Sequence, residues 1–262
     1  MKGSCGQCVV HADLLKPTPV DRVGKFWLKR EDNFTVCGVN GGKARACFAL
    51  ASRANRGLIT AAARQSPQSV IVAAIARGTG LPCRIHTAAG AMTQELARAG
   101  KLGAEIIFHQ AGYNTVINRR ALDDGAATGW TVIPFGMACS EAVQLTARQV
   151  INIPDSAKRL VVPVGSGVTL AGVLAGLSEI ERCLPVIGVV VGADPMRRLD
   201  QLAPPGWRSL VQLRQSRSPY RRSPKRTHLG DVALDPIYEA KCLSFLKPED
   251  CLWVVGHRDS EL

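Results

Sequence analysis

Lys43 follows two glycines in Asn40-Gly41-Gly42-Lys43-Ala44-Arg45 and stands at the start of a helical pattern. Glycines let backbone or ligand approach closely. A helix N-terminus disfavours a cation, which should lower the amine pKa and help it act as a nucleophile. A solvated lysine at a helix start would leave the same pattern. Val164-Gly165-Ser166-Gly167-Val168-Thr169 follows an apolar run and opens a second helical stretch. Such a turn offers backbone N–H groups and hydroxyls to a phosphate, although a tight strand–helix turn reads the same way. It has neither the Gly-Lys-Ser/Thr of a nucleotide-phosphate loop nor a full dinucleotide fingerprint. Gln65-Ser66-Pro67-Gln68-Ser69 opens a third helical stretch, with proline suited to the first turn. Its polar side chains could receive a carboxylate or simply cap the helix.

These segments need a scaffold, and the intervening sequence predicts one. Strand candidates are residues 57–61, 82–87, 104–109, 131–135, 159–164, 186–191 and 252–255, most of them near-continuous apolar runs. That composition suits strands buried on both faces of a parallel sheet. Between them lie alanine-rich helical patterns at 43–54, 68–78, 92–102, 115–127, 140–150 and 169–177, with Gly103 and Gly129 as helix stops. Repeated strand–helix units imply an open α/β architecture. Residues 195–228 break the pattern, with Pro204, Pro205, Pro219 and Pro224 among many arginines and serines, and read as a long loop.

Composition narrows the class. Hydrophobic residues at 46% against 21% charged exclude a disordered or fibrous chain. No apolar run approaches the ~20 residues of a membrane-spanning helix, and the expectation is a soluble, cytoplasmic protein without membrane contact. Nine cysteines, odd in number and irregularly spaced, do not form a disulfide framework. Cys5-x-x-Cys8 has metal or redox spacing, but Cys37 and His11 complete a zinc site poorly, so no metal is expected. The net charge of +12 is local: residues 197–228 hold eight arginines and Lys225 against Asp200, or +8.

Taken in order along nearly the whole chain, the motifs resemble the fold-type II pyridoxal-phosphate (PLP) enzymes, in particular the branch of 1-aminocyclopropane-1-carboxylate deaminase and D-cysteine desulfhydrase. The matching run includes Thr18-Pro19-Val20, Leu28-Lys29-Arg30-Glu31-Asp32 and Gly42-Lys43-Ala44-Arg45, then Gln65-Ser66 and Ile133-Pro134-Phe135-Gly136. It continues through Gly165, Asp235-Pro236-Ile237-Tyr238-Glu239-Ala240-Lys241 and Val254-Val255-Gly256-His257. The resemblance implies a tryptophan-synthase-β-like fold, two open parallel-sheet α/β domains with the cofactor between them. Residues 1–50 with 155–262 would form the larger, PLP-binding domain, and 51–154 the smaller. It also implies PLP as cofactor, held by Lys43 as a Schiff base, with Arg45, Gly165, Ser166, Gly167, Val168 and Thr169 around it. Glu239 would stand at the pyridine nitrogen. Ser66, Gln68, Ser69 and Tyr238 would surround the substrate, with Lys43, Ser66 and Tyr238 as the catalytic set. Family members are usually homodimers.

Two departures bear on function. Asn40 precedes the glycines, where the family reads Gly-Gly-Asn-Lys, and the family's Gln-Ser-Asn becomes Gln65-Ser66-Pro67. Proline has neither the asparagine amide nor a backbone N–H, which weakens the usual clamp on the substrate carboxylate. The favoured expectation is a deaminase or β-elimination lyase acting on a small amino acid. A second keeps PLP but attaches the amino-acid moiety to nucleic acid, modified there for example by decarboxylation. In that case residues 197–226 would bind DNA or RNA through Arg217, Arg221, Arg222, Lys225 and Arg226, with Trp207 and Tyr220 stacking on bases. A third, of another class, is a catalytically silent PLP-fold binding protein; Lys43, Arg45 and Glu239 together argue against it.

Overall fold

Apolar β-branched runs separated by alanine-rich helices can satisfy their backbones and bury both faces only as layered α/β units, and the chain does this twice. The structure, a computed structural model, describes residues 12–110, 112–220 and 222–256. The chain opens with an antiparallel pair, β1 (Val20–Val23) and β2 (Phe26–Arg30), then a short hairpin, β3 (Thr35–Val36) and β4 (Val39–Asn40), leading into α1 (Gly42–Ala51). A first series follows: β5 (Leu58–Ala61), α2 (Gln68–Gly78), β6 (Cys83–Ala88), α3 (Gln94–Lys101), β7 (Ala104–His109), α4 (Asn114–Thr128), β8 (Thr131–Ile133) and α5 (Ser140–Ala147). The second series runs β9 (Arg159–Val164), α6 (Val168–Glu179), β10 (Val186–Val190), α7 (Met196–Leu202) and β11 (Val211–Gln215). A hairpin, β12 (His228–Leu229) and β13 (Val232–Ala233), a short helix α8 (Glu239–Cys242) and β14 (Asp250–Val254) close the described chain.

The first series forms a four-stranded parallel sheet, β7-β6-β5-β8. The second joins the N-terminal pair in a six-stranded sheet, β1-β2-β14-β9-β10-β11, parallel except at β1. β9, β10 and β14 are buried almost throughout, as a sheet covered on both faces requires. The expected α/β class holds, and each expected helix or strand recurs within a few residues of its element. Among the described residues no helix is long and apolar enough to cross a membrane.

Residues 195–228 are not a long loop. They contain α7, a single 3-10 turn at Trp207–Ser209 and β11, an edge strand paired in parallel with β10. The organising residues are few: Leu199 is fully buried, and Val211 and Leu213 alternate with outward-facing Gln212 and Arg214. Proline and arginine set the composition, but an edge strand needs apolar residues on one face only.

Candidate functional site

A cavity of about 280 Å³ opens where the two sheets present their helix starts, lined by Lys43, Glu31, Pro67, Arg98, Gly165–Gly167, Thr169, Asp235, Tyr238 and Val255, among others. Lys43 is the second residue of α1. The chain reaches it through Gly41, whose φ of 90° is open to glycine and strained for other residues. A side chain there would also collide with the Val255 carbonyl at the end of β14. Gly42 N donates to that carbonyl at 3.3 Å, which ties the start of α1 to the large sheet.

Across the cavity, Gly167 (φ 89°) begins α6 with no side chain capping it, so the first turn presents its N–H groups to the cavity. Ser166 Oγ donates to Gly136 O at 3.3 Å. Gly165 has no side chain because Tyr238 occupies that space: a Cβ would lie 2.8 Å from the tyrosine ring. Asp235 Oδ1 accepts from Ile237 N (2.7 Å) and Tyr238 N (3.0 Å), and this turn delivers Tyr238 to the cavity.

Glu239 lies directly behind. It is fully buried, and its Oε1 accepts from Val255 N (2.6 Å) and Gly256 N (3.2 Å) while Oε2 has no partner among the described residues. Burial, and then the neighbouring Asp235, hold its carboxyl well above the ordinary carboxylate range. Arg45 is also buried and does not line the cavity. It pairs with Glu31, which does, and lies over the Phe34 ring at 4.5 Å. Thr18 Oγ1 donates to the other Glu31 oxygen.

The structure brings together Lys43, Gly165, Ser166, Gly167, Thr169 and Tyr238 and sets other expected residues apart. Val168 is buried in α6 outside the lining. Ser66, Gln68 and Ser69 do not line the cavity either. Gln68 donates to Thr60 Oγ1 (2.8 Å) and Pro134 O (2.9 Å) and accepts from Gly136 N (2.9 Å), so its amide clips the small sheet to the Pro134–Gly136 turn. The cavity wall from this part of the chain is Pro67, Val70 and Ile71.

Tyr220, which the basic segment had marked as a base-stacking residue, does not line the cavity but stands behind Tyr238. Its hydroxyl is 3.2 Å from that of Tyr238, and Lys241 Nζ donates to its carbonyl at 2.7 Å. The sequence signal was an aromatic beside Pro219 among charges, whose spatial partner eighteen positions on could not be foreseen. Trp207 is 4% exposed with Nε1 donating to Asp200, so it offers no face to a base. The stacking expected of Trp207 therefore falls, while Tyr220 stays partly exposed. Arg217, Arg222, Lys225 and Arg226 are exposed on a basic edge. Arg221, Cys5, Cys8, His11 and His257 lie outside the described residues.

An open α/β pair with an uncapped glycine turn and a helix-start lysine on one cavity suits a phosphate-bearing cofactor. A family model described as pyridoxal-phosphate dependent enzyme matches residues 12–226, and the chain belongs to that family. No curated protein sequence matches the chain. A solved ACC deaminase homologue is similar at a TM-score of 0.77 and 19% identity, over 94% of this chain and 91% of that one. Threonine deaminase isoform 2 from Solanum lycopersicum gives 0.67 and 15%, over 96% and 87%. Maize serine racemase gives 0.63 and 13%, over 93% and 90%. At these identities the likeness is one of fold.

The residues present fit the cofactor. Glu239 Oε2 is a buried acceptor lacking a donor among the described residues, as a ring N–H would supply, and the α6 turn suits a phosphate.

Proposed function

We propose that this PLP enzyme acts on a small amino acid by deamination or β-elimination, with Lys43 as the lysine that holds the cofactor. The observation that carries the reading is the convergence of Lys43, the uncapped turn Gly165–Gly167 and Tyr238 on one cavity, with the Glu239 carboxylate behind it. When bound, the cofactor withdraws electrons from the substrate Cα and so lowers the barrier to breaking a bond there.

The chain's own residues do the rest. The α6 turn and Thr169 would hold the phosphate, and Glu239 Oε2 would accept a hydrogen bond from the ring nitrogen and favour its protonated form. Glu31 is held at the cavity by Arg45 and Thr18. Tyr238 lines the cavity, and its hydroxyl shares with that of Tyr220 a hydrogen bond in which either oxygen can donate, so Tyr238 can give or take a proton at the substrate. Arg45 therefore serves the site through Glu31. Assembly as a homodimer belongs to the same proposal, supported by the family resemblance, and light scattering reads it.

The test is product analysis of the holoenzyme with a panel of small D- and L-amino acids. The reading expects ammonia and a 2-oxo acid from at least one of them, lost in Lys43→Ala. Racemisation with no ammonia released would overturn the deaminase or lyase assignment.

A further inference from the structure

The substrate carboxylate needs a partner, because a buried carboxylate without one is costly. The α2 side of the cavity does not provide it. Pro67, Val70 and Ile71 form an apolar wall, and Pro67 has no N–H. The polar side chains nearby, Ser66, Gln68 and Ser69, do not line the cavity. Gln68 spends its amide on Thr60, Pro134 and Gly136, and Ser66 Oγ accepts from Gln68 N at 3.3 Å. Ser69 is buried away from the lining.

Charge on the remaining walls favours one landing place. Glu31, Glu95 and Asp235 line the cavity and would repel a carboxylate. Among the described lining residues only Lys43 and Arg98 are cationic. The Lys43 amine belongs to the cofactor on the reading above. Arg98 sits on α3 one turn beyond Gln94, so both side chains share a helix face, and both line the cavity. A guanidinium presents two parallel N–H donors that match a carboxylate.

We propose that Arg98 binds the substrate carboxylate, with α3 taking the role that the start of α2 has given up. This rests on the amino-acid reading of the site. It makes Arg98 a specificity residue, selecting substrates with a free carboxylate and a small side chain to lie against Pro67, Val70 and Ile71.

The experiment titrates holoenzyme with D- and L-alanine, D- and L-serine and the corresponding amides, reading binding from the change in cofactor absorbance. Wild type should bind at least one acid ten- to a hundredfold more tightly than its amide, the range expected for a hydrogen-bonded charge pair. Arg98→Gln should erase most of that preference while leaving the unliganded absorbance unchanged. Arg98→Lys keeps the charge but loses the fork, and should recover part of it. An undiminished preference for the acid in Arg98→Gln would overturn Arg98 alone. Absorbance unmoved by every acid in the wild type would overturn the amino-acid reading and this assignment together.

Discussion

Glu239 is a carboxyl group whose charge the surrounding protein poorly supports: one oxygen takes two backbone N–H groups and the other takes none among the described residues. Its raised pKa has a consequence for cofactor-free protein. Once pH exceeds roughly 4.3, the unfolded chain releases this proton while the folded state keeps it. The folded state then binds more protons, so stability falls as pH rises toward the raised value. Glu239→Gln has no proton to release. Denaturant unfolding of cofactor-free protein between pH 4.5 and 7.5 should therefore show wild type losing stability relative to the variant, and a bound pyridinium should shrink the loss. A pH-independent difference would show that the carboxyl ionises without strain. Glu239 was legible in the sequence through the order of motifs around it. Its orphaned oxygen was not, because that depends on Val255 and Gly256 sixteen and seventeen residues away.

At the level of elements, the site depends on β2 and the turn after it, which apolar periodicity does not reveal. β2 reads Phe26-Trp27-Leu28-Lys29-Arg30, and two adjacent cations hide a strand in the interior of the large sheet. Lys29 is accommodated because its Nζ donates to Thr18 O and Asn152 Oδ1, both at 2.8 Å, with burial lowering its pKa to about 8. The strand then delivers Glu31 to Arg45 of α1. Both partners of this ion pair are buried, so removing one leaves the other uncompensated. Arg45→Met should cost about 3–5 kcal/mol in denaturant unfolding, and adding Glu31→Gln should recover a large part of it. A loss under about 1 kcal/mol would mean that water reaches the pair. β9 and β10, by contrast, were readable because burial on both faces leaves mostly Val, Ile and Leu in them. β11 was not, since one apolar face of two residues is lost among prolines and arginines.

Across the whole molecule, two sheets built from separate stretches of chain bring Lys43, Gly165 and Tyr238 to one cavity although nearly two hundred positions separate the first from the last. The large sheet is discontinuous in sequence, with β1 and β2 joining β9, β10, β11 and β14, and Gly41 carries the chain from the β3–β4 hairpin into α1. The central claim is that this convergence exists to hold a cofactor on Lys43. Borohydride reduction of holoenzyme followed by peptide mass mapping tests it most directly. The account predicts a pyridoxyl label on Lys43, with Lys43→Ala unlabelled and colourless after dialysis. A label on Lys29, whose amine is already near neutrality, or on Lys241 beside Tyr220, would contradict it.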